Sequence, residues 1–458
     1  MPRGRAAPTV RAADARVAQA EASVKAAIAS RIVASKPEGA PPDLDVSAIA
    51  EFSAEATFEA FDALTRSQTR RLSEGEVKLC VACVERCDAV YSAAGNLEDP
   101  CSLPIRRGLV VVAHSMWLAA TRGEMSTSKA DRQLFVYSCM AFSSVWANIE
   151  FHQGEDGNEV GQAAWMDDAE ADVQERTGDA RATLAGSFAE GLGRLNSQQP
   201  PVNAAAMVPV LDALHQLVQS YVQSRPHHNG VVTTMTRSLP SPRAGALLES
   251  GVIASAIAAA SSHPTAISVH CRTLAFLDHV AGDRPHELLL ADAPIKEPPC
   301  SSPPTSLCDA LVRLGALKAV VHAVRTFVKA SDGEGNDDSD GEDDEDKYYQ
   351  TELLSSTLSL LNKLTQSDLG RQAARESDVV GAVDVLLSAH AHDAELQREL
   401  TVLRAFVGSS DLEEMLGQLA PAMFSEAMAE EAQPLEQRGP TVAQPYGEDG
   451  GDVAWYWY

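Results

Sequence analysis

Apolar residues recur along most of this chain at the 3.6-residue spacing of an α-helix, and they do not alternate as in a strand. The clearest stripe consists of Phe135, Cys139, Phe142, Trp146 and Ile149. Similar stripes precede and follow it, and no segment is convincing as a strand. The spacing predicts amphipathic helices packed on one another, and therefore an all-α fold.

The charge of the chain is concentrated in three segments. The 458 residues include 37 Lys and Arg against 64 Asp and Glu, a formal net charge of −27, and residues 151–180, 332–346 and 426–458 net −8, −10 and −6. Because runs of like charge repel and bury little apolar surface, we expect these segments to be largely disordered or solvated. Such acidity also argues against nucleic-acid binding, which depends on Lys and Arg at the phosphates.

The first 36 residues contain seven basic and two acidic residues in an Ala-rich stretch. An organelle transit peptide has this composition, and so does an ordinary basic amphipathic helix. We expect a cytoplasmic protein, with organellar targeting through this segment, or a cilium, as the alternatives. No run approaches the roughly 20 apolar residues that cross a bilayer, so we expect no membrane insertion.

Three cysteines, Cys80, Cys83 and Cys87, are spaced i, i+3, i+7, and Cys101 follows them. This spacing is compatible with a zinc site. It also places three small apolar side chains on one face of a helix, and we interpret them as core residues. We therefore predict no metal and no cofactor.

Three segments in the second half of the chain align with one another. They begin at Gly251, Gly315 and Asp378, at spacings of 64 and 63 residues, and each is followed by a helix, a break and a second helix. The spacing exceeds a helical repeat of roughly 40 to 47 residues. The excess is explained by a Pro-rich insert at 283–306 and an acidic, disordered insert at 331–347.

These units resemble armadillo repeats, in which a residue such as the glycine of Glu-Ser-Gly-Val-Ile or Arg-Leu-Gly-Ala-Leu turns the chain from a short helix into two longer ones. The resemblance covers residues 205–410 and extends in degenerate form to 75–150. It does not separate armadillo from HEAT repeats. It implies an armadillo-like α-solenoid with acidic insertions and disordered termini.

A solenoid of this kind presents an extended groove to a protein or peptide partner. In armadillo proteins an Asn on the last helix of each repeat often holds the backbone of an extended peptide. The resemblance places Asn148 and Asn362 near that position, while Asp278 and Arg404 occupy it in the other units. Each Asn is equally compatible with a capping or solvent-facing role.

No signature of catalysis is present. The chain has no phosphate-binding glycine loop, no G-x-S-x-G turn, no H-E-x-x-H motif and no kinase signature. The acidic insert imitates the opening of a calcium loop, but Lys347 stands where the twelfth-position Glu belongs. We predict no catalytic residues, and an enzyme with an unrecognised site is the least favoured hypothesis.

Two features favour interaction over catalysis. Ser331 and Ser339 are each followed by acids one and three residues later, which resembles an acidophilic kinase site. The chain also ends in four aromatic residues, which are common in interface hot spots. We interpret Trp455, Tyr456, Trp457 and Tyr458 as residues that dock into a partner or onto the chain's own groove, with a frayed tail as the alternative.

The sequence therefore predicts a non-catalytic scaffold or adaptor that binds a protein or peptide partner. The alternative is a structural subunit of a larger ciliary or organellar assembly, and the oligomeric state stays open. The expected organisation is a basic segment (1–45), a degenerate helical region (46–150), an acidic linker (151–204), armadillo-like repeats (205–425) and an acidic tail (426–458).

Overall fold

The computed structural model of the chain describes residues 22, 26, 46–65, 72–93, 103–121, 128–151, 160–198, 201–221, 223–228, 233–238, 241–282, 306–328 and 343–409. Within them, a 3₁₀ helix, Val46–Glu51, precedes the α-helices. The first eight α-helices are α1 (Ala54–Thr65), α2 (Glu74–Ala93), α3 (Leu103–Thr121), α4 (Lys129–Phe151), α5 (Val160–Thr177), α6 (Leu184–Asn196), α7 (Ala204–Tyr221) and α8 (Ser241–Ser250). The next eight are α9 (Val252–Ser262), α10 (Ile267–Ala281), α11 (Leu307–Arg313), α12 (Ala316–Phe327), α13 (Asp343–Leu364), α14 (Asp368–Glu376), α15 (Val379–Ala389) and α16 (Ala394–Gly408).

The all-α prediction is confirmed, with one addition. Between α7 and α8, strands β1 (Gln223–His228) and β2 (Thr233–Ser238) pair as an antiparallel hairpin, with Gln223 opposite Ser238. The sequence of β1 is polar, contains Pro226 and lacks apolar alternation, so periodicity gave no strand signal there.

The three aligned segments each begin at a residue with left-handed backbone. Gly251, Gly315 and Asp378 have φ values of 79°, 94° and 59°, and they separate α8 from α9, α11 from α12 and α14 from α15. Glycine adopts the left-handed backbone conformation at little free-energy cost, whereas a residue with a Cβ adopts it at a higher cost. The chain thus forms three successive units of a short helix, a left-handed residue and two further helices.

The helices pack on each other in two rows, whose successive members are three apart in the chain except for α2 and α4, which are two apart. Row A consists of α2, α4, α7, α10, α13 and α16, and its first five members pack in that order. Row B consists of α3, α6, α9, α12 and α15, which also pack successively. Asp212 of α7 contacts Arg272 of α10, and His215 of α7 contacts His279 of α10. The residue numbers of the contacts increase in the same direction along both helices. These two helices are therefore parallel.

The expected acidic linker at 151–204 is wrong for most of its length, because α5 and α6 lie there and belong to the core. In α5, Met166, Ala169 and Val173 form a buried stripe, while most of its acids lie on the other face. In α6, Phe188 packs edge-on against Phe142 with ring centroids 6.3 Å apart. The charge density of α5 concealed its buried stripe, whereas α6 carries only one acid, Glu190, and one base, Arg194.

Helix α6 also requires a close approach to α4. A Cβ at Gly191 would overlap the ring of Phe135. The region 46–150 is therefore continuous with the later helices, since α4 packs on α7 and α3 packs on α6.

Several predicted segments fall outside the described ranges. These are the basic segment 1–45 apart from Ala22 and Ala26, the Pro-rich insert apart from Ser306, most of the acidic insert and the tail 426–458. At the end of the acidic insert, α13 already begins at Asp343. Residues 343–347 are therefore helical, and the prediction that they are disordered is wrong.

Among the described helices, no single one is long and apolar enough to span a membrane. A bent pair, Arg243–Ser250 with Val252–Ser262 at 52°, meets the length and composition threshold when taken together.

Candidate binding groove

An open groove lies between α13 and α16, the last two helices of row A. Its volume is about 670 Å³. Whereas α10 and α13 pack directly, α16 is separated from α13 along this groove. The lining residues are Asn362, Thr365 and Gln366 from the α13 side and Glu395, Arg398, Glu399, Val402, Leu403 and Phe406 from α16.

Helix α16 presents two neighbouring stripes. Leu400, Leu403 and Val407 are buried and hold the helix against the core. The adjacent stripe consists of Glu395, Glu399, Val402 and Phe406 at i, i+4, i+7 and i+11, and all four line the groove. This stripe is acidic in its N-terminal half and apolar in its C-terminal half.

The apolar half of the groove is unusually open to solvent. Val402 is 48% exposed, and it is one of three large apolar side chains exposed in the described part of the chain. The other two are Met140 on α4 and Tyr348 on α13. All three lie on helices of row A.

Phe406 is held in place at the apolar end. The guanidinium of Arg371, on α14, lies 5.1 Å from the centroid of the Phe406 ring, a cation–π distance. Arg371 also forms an ion pair with Asp368. The ring is therefore a supported wall of the groove.

Three polar groups that line the groove have no partner among the described residues. Glu395, Glu399 and the amide of Asn362 make no hydrogen bond or ion pair with any other described residue. Two carboxylates one turn apart repel each other, and an amide can both donate and accept. The groove can therefore bind a cation at Glu395 and Glu399 and a peptide backbone at Asn362.

Next to the groove, α13 is joined to α10 by a buried ion pair. Nζ of Lys363 lies 2.9 Å from Oδ1 of Asp278, and the two side chains are 15% and 17% exposed. Lys363 follows Asn362 directly in the chain. The pair fixes the wall of the groove that carries Asn362.

A second ionic contact joins three helices of row A. Arg272 of α10 lies 2.7 Å from Asp212 of α7 and 2.6 Å from Glu352 of α13. Burial raises the pKa of Asp212, and Arg272 acts in the opposite direction. For Arg272, burial alone would lower the pKa, but the two carboxylates outweigh it and the pKa is raised. The guanidinium thus stays charged and links α7, α10 and α13.

Two histidines extend this contact. Nε2 of His215 lies 3.0 Å from Nδ1 of His279, across α7 and α10. Burial, with His279 and Arg272 adding to it, lowers the pKa of His215 to about 3. His215 is therefore neutral near pH 7.

The predicted binding residues have different surroundings. Asn362 lines the groove. Asp278 is engaged with Lys363, and Arg404 lies 2.5 Å from Asp384 of α15 and does not line the groove. Asn148 lies in α4, with its side chain outside the described set. The remaining candidates, Trp455, Tyr456, Trp457, Tyr458, Ser331 and Ser339, lie outside the described residues.

Glu395, Glu399, Val402 and Phe406 were missed from the sequence. The sequence does indicate two of them. Val402 and Phe406 are apolar but lie beside the buried stripe of Leu400, Leu403 and Val407 and not within it. A large apolar residue beside a complete core stripe indicates a second apolar surface.

The cysteine triplet is confirmed as part of the core. Cys80, Cys83 and Cys87 are at most 5% exposed. Burial raises the pKa of Cys83 well above its usual value and that of Cys87 to about 12, so both are neutral thiols. Among the described residues, no group of three His, Cys, Asp or Glu side chains is placed to hold a metal ion.

Comparisons with protein-family models, with curated proteins and with solved structures find no match to this chain.

Proposed function

We propose that this chain is a non-catalytic interaction scaffold, an armadillo-like α-solenoid that binds a protein or peptide partner along row A. Two observations support the architecture. Left-handed residues recur at Gly251, Gly315 and Asp378, and helices three apart in the chain pack in succession. Both are expected when three-helix units stack and bury a shared core.

The groove between α13 and α16 is the observation that carries the binding role. It combines an exposed Val402 and a half-buried Phe406 with three polar groups, Asn362, Glu395 and Glu399, that have no hydrogen bond or ion pair within the described part of the chain. Ligand sites typically have this composition, an apolar surface with a few convergent polar groups, and volumes of roughly 300 to 1,000 Å³.

The polar side chains elsewhere on row A favour scaffolding over catalysis. Arg272 is held by two carboxylates, Lys363 by one, and His215 by His279. The charged groups are neutralised across helices and the neutral imidazole of His215 is engaged by His279, as in structural contacts. A general base instead needs access to a substrate proton.

A random-peptide display library panned against the full chain tests this role. We expect selected peptides to lose binding to the variant Val402→Asp, which places a charge on the exposed apolar wall. The matched control is Ala258→Asp, at an exposed position of α9 in row B. If no peptide is enriched, or if enriched peptides bind both variants equally, the groove is not a binding site.

A further inference from the structure

The charges along the groove select among peptide partners. We propose that the groove between α13 and α16 binds a segment of a partner protein in which one or two Lys or Arg residues precede or follow an apolar side chain by three to four residues. This rests on the proposed function and adds the chemistry of the partner to it.

Two carboxylates of the groove have no ion pair within the described part of the chain. Glu395 and Glu399 have no ion pair with any described residue, and they lie one helical turn apart on the same face of α16. Like charges at this spacing destabilise a helix, and a bound cation relieves the repulsion. An ammonium or guanidinium group is therefore the expected neighbour.

The basic residues around the groove are mostly engaged elsewhere. Lys363 pairs with Asp278, Arg404 with Asp384 and Arg371 with Asp368. Arg398 also lines the groove, so the two lining carboxylates and one lining guanidinium leave a net charge of −1. Charge complementarity favours a basic occupant over an acidic one.

The length of the groove sets the spacing in the partner. Glu395 and Phe406 are 11 residues apart in α16, which corresponds to about 16 Å at 1.5 Å per residue. An extended peptide covers that distance in about five residues at roughly 3.3 Å each. A base over Glu395 and Glu399 thus places an apolar side chain three or four residues away beside Val402 and Phe406.

The chain's own C-terminal tail is the competing occupant, since it lies C-terminal to α16 and ends in four aromatic residues. Its last eleven residues, 448–458, contain three acids, Glu448, Asp449 and Asp452, and no base. A tail docked through these aromatics therefore has no base within these eleven residues to place beside Glu395 and Glu399. The charge pattern therefore favours a partner segment over the tail.

Two matched hexapeptide libraries distinguish these occupants on the full chain. Both have Trp or Leu at the last two positions and random residues in the middle; one begins with Lys or Arg pairs and the other with Glu or Asp pairs. We expect the basic library to bind at least tenfold more tightly at low salt, and to lose most of this preference at high salt.

Variants of the groove acids supply the direct test. Glu395→Gln with Glu399→Gln should reduce the preference for the basic library to threefold or less. The control Glu85→Gln with Glu249→Gln removes the same charge from exposed positions on α2 and α8, and it should leave the preference intact. Equal binding of both libraries, no binding by either, or an effect of the control as large as that of the groove pair overturns this inference.

Two outcomes separate this inference from the proposed function. If the acidic library binds as well as the basic one and both are lost in Val402→Asp, the groove is a binding site but its charge selectivity is wrong. If basic peptides bind only after the chain is shortened to end at Ala454, the tail is the occupant, and the inference of a partner segment fails.

Discussion

Lys363 donates a hydrogen bond from Nζ to Oδ1 of Asp278 at 2.9 Å and another to the backbone oxygen of the same residue at 3.3 Å. Both side chains are less than one-fifth exposed. The contact joins α10 to α13 beside the groove, so one of the four repeat positions expected to face a partner is engaged within the chain.

Breaking this ion pair should destabilise the fold. Asp278→Ala and Lys363→Ala should each lower the free energy of unfolding by about 2 to 3 kcal/mol, because each leaves a charge with little access to water. The double variant should be more stable than the sum of the two losses by about 1 to 2 kcal/mol. Urea denaturation of the four chains measures the coupling, and strictly additive losses would contradict a direct interaction.

Arg272 should be a stronger structural link, because it serves two carboxylates. Arg272→Met keeps most of the aliphatic stem and should cost about 3 kcal/mol at pH 7, since Asp212 and Glu352 then lack their shared cation. The control Arg404→Met breaks a pair with side chains 45% and 48% exposed, and should cost less than about 1 kcal/mol.

The loss in Arg272→Met should become smaller on acidification. The pKa of Asp212 is already raised by burial, so its charged form is disfavoured in the folded state and stability recovers as pH falls through the folded pKa. Without the guanidinium that pKa should rise further. The difference in unfolding free energy between variant and parent is measured at pH 7 and at pH 5. A difference that is the same at both pH values would contradict the contact of the two carboxylates with Arg272.

The sequence predicted the helical class and the three unit boundaries because both have local causes. Apolar periodicity reports which face of a helix is buried, and the residues at Gly251, Gly315 and Asp378 stand where the backbone becomes left-handed. Asp378, with a φ of 59°, shows that the position does not demand glycine. Its carboxylate also forms an ion pair with Arg325.

The features that the sequence did not show depend on contacts between distant segments. The acids of α5 suggested a disordered linker, yet Met166 and Val173 are buried and Arg176 lies 2.6 Å from Asp62 of α1. The groove was missed for a similar reason. Whether Val402 is buried or exposed depends on how closely α13 approaches α16, and periodicity within one helix does not contain that distance.

Buried histidines should make the fold sensitive to acid. His270 is 1% exposed, and its ring centroid lies 5.2 Å from that of His322 on α12. Burial, with His322 adding to it, lowers the pKa of His270 to about 4, and His263 at the end of α9 also faces it. The folded state therefore holds this ring neutral at a pH where the unfolded chain already binds a proton.

The sign of the effect is given by linkage. Because the folded pKa lies below the usual value of about 6.5, the stability is complete above about pH 6.5 and is lost as pH falls toward 4, by up to about 1.4 kcal/mol per pH unit for each such histidine. His270→Leu should therefore reduce the difference in unfolding free energy between pH 7 and pH 5 by about 1 to 2 kcal/mol. Denaturation at the two pH values tests this, and an unchanged difference would mean that His270 is protonated in the folded chain.

Two glycines offer a paired test of the unit boundaries. Gly315 has a φ of +94°, and a Cβ there would have no atom within 4 Å, so Gly315→Ala should cost about 1 kcal/mol through backbone strain without a clash. Gly245, in the middle of α8, likewise has open space around a Cβ but no positive φ. Gly245→Ala should therefore stabilise the chain by about 0.5 to 1 kcal/mol, because alanine loses less backbone entropy in a helix. Thermal unfolding should show Tm shifts of opposite sign, and shifts of the same sign would contradict the left-handed junction between α11 and α12.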